Sequence, residues 1–178
     1  MRRRYAAAWP EYAVVLSIWF ILALILYPVF SRARENARRA TCMSNQKQIA
    51  NALLYYAADN NGNLPGHGWV SLITPYVKTG DIFRCPSKSE ALGKNDYFFN
   101  ARFLKKNVDD IKKPQTLVLL GDSKDDSPLS QLPAEWVRYQ ESPLWRHLEG
   151  ANYGFADGHI KWLKAQRINQ DFRVVSLW

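Results

Sequence analysis

The sequence contains only two cysteines, Cys42 and Cys85, and they do not form a CxxC pair. Closely paired cysteines and histidines are typical of structural zinc sites, so this spacing argues against such a site. Two distant cysteines leave two alternatives, which are one disulfide in an oxidising compartment or two buried thiols. The cysteine spacing alone does not decide between them.

The sequence also lacks the motifs of common catalytic and nucleotide-binding sites. It has no nucleophile elbow (G-x-S-x-G), no phosphate-binding loop (G-x-x-x-x-G-K-[ST]) and no H-E-x-x-H motif. We therefore expect a protein that is not an enzyme and that needs no cofactor.

A basic face for nucleic-acid binding is also missing, although the formal net charge is +8. Residues 1–50 contain eight arginines and lysines against two glutamates, whereas residues 51–178 contain 16 basic and 14 acidic residues. The excess of basic residues therefore flanks the apolar segment at residues 13–30, where it suits anionic lipid headgroups. Nucleic-acid binding needs a basic patch on the folded part, so we expect lipid and not nucleic acid as a partner.

One long uncharged run is present. Residues 13–30 read AVVLSIWFILALILYPVF, 18 residues without a charge. As a helix this run is about long enough to cross a hydrocarbon core of roughly 30 Å, and a helix is the structure that such a segment adopts in lipid. No small-x-small cleavage site follows, which argues against a secretory signal peptide. We predict a transmembrane helix, kinked at Pro28 because proline lacks an N–H.

The helical pattern continues beyond the apolar run. Cys42 or Met43, Gln46, Ile49 or Ala50, Leu53 and Ala57 recur every three to four residues, which indicates an amphipathic helix. Asn60, Asn61 and Gly62 are expected to end it. We predict four segments: a basic leader-like segment (1–6), a transmembrane helix (7–30), an amphipathic helix (31–61) and a globular head (62–178).

Within the head, residues 66–84 suggest a short helix or turn-rich connection, and residues 116–123 a buried strand followed by a turn. Residues 151–163 (ANYGFADGHIKWL) predict a β-hairpin with Asp157 and Gly158 as a two-residue type I′ turn. Residues 122–149 read as a long loop. The predicted fold class is α+β, with one long helix packed on a small antiparallel sheet.

Three blocks of the sequence resemble bacterial prepilin-type proteins, specifically pseudopilins related to the major pseudopilin of type II secretion. They are residues 28–65, residues 76–87 around Cys85, and residues 146–163, in which His147, nine further residues and Asp157-Gly158 match a His-x9-Asp-Gly signature. The resemblance implies a lollipop fold with a cytoplasmic N-terminus and an extracytoplasmic head at the bacterial inner membrane. It also implies a Cys42–Cys85 disulfide.

The function that the resemblance implies is structural. Such proteins are subunits of type II secretion or type IV pilus-like filaments, and their partners are other pseudopilins, copies of themselves and the assembly machinery. The alternative is a membrane-tethered binding domain, derived from a pseudopilin, that does not polymerise.

The first residues depart from the family pattern. Alignment from Pro28 places the processing site between Ala6 and Ala7, but Ala6 occupies the position of the family glycine, and we expect inefficient cleavage there. Glu11 aligns with the family glutamate, which pairs with a neighbouring subunit's terminal amine and sets the register of assembly. A charge in lipid usually marks function, whereas Glu11 at the membrane interface would have no such role.

The remaining candidate residues are metal ligands. His147, Asp157 and His159 form a possible metal cluster or His–Asp pair. We interpret Asp157 and Gly158 as turn residues, however, and His147 as a structural clamp on the hairpin. By analogy with the calcium loop of the major pseudopilin, Asp122, Asp125 and Asp126 are possible oxygen ligands for calcium.

Overall fold

The computed structural model describes residues 8–88, 95–124 and 142–164. Two compact units are distinguished, Met1–Glu35 and Asn36–Trp178. A single helix, α1 (Ala8–Asp59), contributes to both.

The first unit is the apolar part of α1. From Trp9 to Phe30, sixteen large apolar or aromatic side chains are at least 46% exposed. An 18-residue window of this helix has a mean hydropathy of 2.5 with none of it buried, so α1 is long and apolar enough to cross a membrane. Pro28 lies inside α1, and the helix continues through it.

In the second unit, the last five turns of α1 bury one stripe. Of the predicted alternatives, Cys42 is buried and Met43 is not, while Ile49 and Ala50 are both buried. Gln46, Leu53 and Ala57 complete the stripe. The helix ends where expected, because Asn61 and Gly62 adopt positive φ angles and the Gly62 N–H donates to the Ala57 carbonyl at 2.7 Å.

The second unit also contains a four-stranded antiparallel sheet in the order β1 (Tyr97–Phe99), β2 (Val118–Asp122), β3 (Gly150–Phe155) and β4 (Ile160–Lys164). The predicted α+β fold class is therefore confirmed. Strand β2 falls within the predicted strand, whereas the three-residue β1 was not anticipated. The connection at 66–84 consists of the short helix α2 (Trp69–Ile73) and two 3-10 turns (Thr74–Tyr76 and Gly80–Phe83), as the sequence suggested.

The hairpin of β3 and β4 forms where predicted, but the prediction of a type I′ turn is wrong. A type I′ turn needs positive φ at both central residues, and of Asp157 and Gly158 only Gly158 has it, at 85°. The Gly158 N–H donates to the Phe155 carbonyl, and the Phe155 N–H donates to the His159 carbonyl. The loop therefore has three residues, and Gly158 is the one in the left-handed conformation. Asp157 consequently does not need a positive φ angle, which would strain a residue with a side chain.

The sheet packs on both faces. One apolar cluster includes the buried stripe of α1 together with Trp69, Phe99 and Leu120. A second, smaller cluster consists of Phe98, Val118, Leu144, Ala151, Tyr153 and Phe155. Because both faces of the sheet are covered, every residue of β1, β2 and β3 is buried.

The second cluster depends on the absence of a side chain at Gly121. A Cβ atom there would lie 2.7 Å from the Phe98 ring and 2.8 Å from the Tyr153 ring, its partners on the neighbouring strands. We expect Gly121→Ala to lower the free energy of unfolding by about 1–3 kcal/mol because the two rings must move apart. Gly80→Ala is the matched control, since no atom of the described residues lies within 4 Å of a Cβ added there. Denaturant unfolding followed by tryptophan fluorescence measures both, and equal stability of the two variants would contradict the prediction.

Candidate functional site

The two cysteines form a disulfide. Cys42 lies on α1, Cys85 follows the Gly80–Phe83 turn, and their Cα atoms are 5.4 Å apart. The pairing that the resemblance implied is thus present, and it links α1 to the connection before β1. Both residues are buried. Through His147, which contacts Cys85, the disulfide adjoins a group of buried polar residues.

Asp122, at the end of β2, is the buried acid of this site. Its side chain is fully buried, and Oδ1 accepts a hydrogen bond from Gln46 Nε2 on α1 at 3.1 Å. Oδ2 accepts one from the backbone N–H of Asn152 on β3 at 2.8 Å. A buried carboxylate is costly unless it is hydrogen-bonded and paired. These two bonds therefore connect α1, β2 and β3 through one side chain.

Arg146 supplies the positive charge opposite Asp122. Its Nη1 atom lies 3.5 Å from Asp122 Oδ1, with only 7% of the arginine side chain exposed. The same guanidinium donates to the backbone carbonyls of Asp96 and Ser123. The Asp96 carboxylate in turn accepts from the Cys85 N–H and pairs with Lys88. The arginine thus neutralises the buried acid and fixes the ends of β1 and β2.

His147 lies between the disulfide and the acid. Its Nε2 atom is 3.5 Å from Cys85 Sγ and 3.6 Å from Asp122 Oδ2, and its side chain is fully buried. The predicted clamp on the hairpin is made by the backbone of His147, since its N–H donates to the Gly150 carbonyl and its carbonyl accepts from Trp162 Nε1. The imidazole itself points to Cys85 and Asp122.

Asp157 and His159 form a separate pair on the hairpin. His159 Nδ1 lies 2.6 Å from Asp157 Oδ1, and the His159 ring stacks on Phe155. Burial alone would raise the pKa of Asp157, but hydrogen bonds from the His159 backbone and imidazole outweigh it and lower that pKa. Within residues 8–88, 95–124 and 142–164, His147 does not join this pair in one metal cluster, because its close partners are Cys42 and Cys85. The structure therefore does not bring His147, Asp157 and His159 together as a metal cluster, and the His–Asp pair that it does form is Asp157 with His159.

The calcium prediction finds no support at Asp122. Its oxygen atoms face N–H donors and a guanidinium, whereas a calcium ion needs oxygen ligands in that space. Asp125 and Asp126 lie outside the described residues, and so do Ala6 and Ala7 at the expected processing site. Glu11 is in the first turn of α1 and is exposed.

The buried polar cluster therefore consists of the disulfide, Asp122, Arg146, His147, Gln46 and Asn152. Sequence reasoning named both cysteines, Asp122 and His147, but it missed the other three as members of a site. Gln46 carried a signal, since it is the polar residue on an otherwise small or apolar helix stripe. Arg146 and Asn152 carried none, because their roles depend on which strands become neighbours.

Two buried tyrosines adjoin the cluster. Burial, and to a smaller extent the charge of Asp122, raises the pKa of both Tyr97 and Tyr153 well above the usual value. Both phenols are therefore neutral near physiological pH, and neither adds a negative charge to that of Asp122.

Part of the chain is similar to a known protein family. A family model described as a protein of unknown function (DUF1559) matches residues 31–82. That family is one of prepilin-like proteins, so the match supports a pilin-like protein over these residues. It ends before Cys85 and does not reach the His-x9-Asp-Gly motif. No curated protein and no solved structure matches the chain.

Proposed function

We propose that this protein is a pseudopilin-like structural subunit of a type II secretion or type IV pilus-like filament. In this proposal it is anchored in the bacterial inner membrane with its head outside the cytoplasm, and it has no catalytic activity. The observation that carries the proposal is the exposed apolar surface of α1 from Trp9 to Phe30. Such a surface must be covered by lipid or by other apolar helices.

Two further observations support the proposal. The family match covers residues 31–82, which include the amphipathic part of α1. The buried Cys42–Cys85 disulfide suits an oxidising compartment outside the cytoplasm. Neither observation distinguishes a filament subunit from a tethered monomer, which is the alternative that Ala6 favours because it replaces the glycine of the family processing site.

Glu11 allows a direct test of assembly. A photo-crosslinking amino acid placed at Leu16 or Ile25, both exposed on α1, captures neighbouring subunits in native membranes. For a filament subunit we expect a ladder of cross-linked multimers. Glu11→Gln should reduce the ladder because it removes the charge that sets the register, whereas Glu35→Gln, at another acidic residue of α1, should leave it unchanged.

The mature N-terminus separates the two alternatives. Intact mass spectrometry of the membrane-extracted chain shows whether six residues are lost and a methyl group is gained. Ala6→Gly should increase the processed fraction if the peptidase acts at this position. The opposite result is a full-length chain that gives no multimers after cross-linking, in both the native and the Ala6→Gly forms. That result would contradict the filament and favour the tethered binding domain.

A further inference from the structure

Three side chains that bind soft metal ions converge in the buried polar cluster. Cys42 comes from α1, Cys85 from the connection before β1, and His147 from the segment before β3. Their sulfur atoms and an imidazole nitrogen all lie within 4.8 Å of one another, and all three residues are buried. The absence of CxxC spacing argued against a zinc site, but the third ligand comes from a residue 62 positions after Cys85.

The observed spacing suits a tetrahedral metal ion. Zinc–sulfur bonds of about 2.3 Å and a zinc–nitrogen bond of about 2.1 Å at the tetrahedral angle separate sulfur and nitrogen by about 3.6 Å. Cys85 Sγ and His147 Nε2 are 3.5 Å apart. The two sulfur atoms, which are bonded to each other here, would have to separate to about 3.8 Å around the same ion. Metal binding would therefore require the two cysteine side chains to move apart, whereas the His147 imidazole is already at a suitable distance from Cys85.

Charge balance also favours a metal in this place. A divalent cation with two thiolates is neutral, as a disulfide is. Exchanging one for the other adds no net charge to a buried site in which Asp122 is already balanced by Arg146. A cation added beside an intact disulfide would instead leave an uncompensated buried charge, which is costly.

Additional buried polar atoms surround the three ligands. Gln46 Oε1, Asn152 Oδ1 and Asn152 Nδ2 are buried and make no hydrogen bond within the described part of the chain. Both residues contact Asp122, which lies 3.6 Å from the imidazole. Three protein ligands leave the fourth position of a tetrahedral ion open to water. Polar groups next to a metal site commonly orient the ligands and such a water.

We propose that the dithiol form of this protein binds one zinc-class divalent cation through Cys42, Cys85 and His147. Reduction of the disulfide breaks the S–S bond with two electrons and two protons from an external dithiol, which itself becomes a disulfide. Metal binding then releases the two thiol protons to solvent. The newly made chain also begins as a dithiol, so metal binding and disulfide formation are competing fates of the same two cysteines.

Cobalt(II) is the probe that tests the proposal. The full-length chain in detergent micelles is reduced with a phosphine, freed of reductant without air and titrated with Co²⁺. We expect one equivalent to bind, with thiolate-to-cobalt charge-transfer absorption and tetrahedral ligand-field bands, and Zn²⁺ to displace it. The oxidised chain should bind none.

Variants assign the ligands. Cys85→Ser should abolish the charge-transfer band of a two-thiolate site, and His147→Ala should raise the dissociation constant for Co²⁺ at least about tenfold. His159→Ala is the matched control, because that histidine pairs with Asp157 on the hairpin, and its affinity should equal that of the native chain. Binding by His147→Ala as tight as by the native chain would overturn the proposal.

Reduction of the disulfide can also partly unfold the domain, so the effect of Zn²⁺ on folding is measured as well. Zn²⁺ should restore the tryptophan emission and near-ultraviolet circular dichroism of the oxidised chain to the reduced chain, and it should raise the melting temperature of the reduced chain. A reduced chain that takes up no Co²⁺, or that Zn²⁺ does not return to the folded state, would also overturn the proposal.

Discussion

Asp122→Ala is expected to lower the free energy of unfolding by about 3–5 kcal/mol, which is typical of removing one partner of a buried ion pair. Arg146 would remain 7% exposed and without its carboxylate. The Asn152 N–H would lose its acceptor, and Gln46 Nε2 would keep only the Asn152 carbonyl. A single side chain connects α1, β2 and β3, so its loss affects the whole second unit. Denaturant unfolding of the full chain in micelles measures the effect.

Two control variants make this result specific. Asp122→Asn retains an oxygen acceptor but removes the charge, so we expect a smaller loss than for alanine, with Arg146 still unpaired. Asp110→Ala removes an exposed aspartate and should change stability by no more than about 0.5 kcal/mol. If Asp122→Ala is no less stable than Asp110→Ala, the buried ion pair does not stabilise the domain.

Removal of the disulfide should have an effect of similar size. Replacing both Cys42 and Cys85 by alanine is expected to cost about 4 kcal/mol in the chain-entropy model, because the bond closes a loop with a sequence separation of 43. The measurement is made in the presence of a chelator, so that no metal ion takes the place of the bond. The comparison is between the oxidised native chain and the double variant.

Reduction of the native chain provides an independent check. Under the same chelating conditions, the reduced native chain should unfold near the denaturant midpoint of the double variant, since both lack the cross-link. Identical midpoints for the oxidised and reduced native chains would show that the disulfide does not raise the free energy of unfolding.

The long helix was the most predictable element, and its signals are local. A charge-free run of 18 residues and a three-to-four-residue apolar spacing each depend on neighbours within a few turns. The end at Asn61 and Gly62 was predictable for the same reason, because the residues themselves tolerate positive φ. The choice of Cys42 over Met43 in the buried stripe required the structure, since one residue of helix rotation separates them.

The hairpin was predictable in position and not in detail. Asp157-Gly158 between two β-prone runs marked the turn, but two- and three-residue loops use the same dipeptide. The strand register, in which Gly154 pairs with Ile160, decides which loop forms. Strand β1 was missed because three residues carry too short a pattern to indicate a strand.

The sequence by itself determined where this chain is apolar, where its helix begins to be amphipathic and where the chain turns, since these properties depend on residues close together along the chain. Only the tertiary structure decided that His147 faces the disulfide and Asp122, and that Arg146 neutralises that acid. These contacts join residues from 24 to 62 positions apart. They exist because the helix and the strands bury their apolar faces together and enclose the same few polar groups.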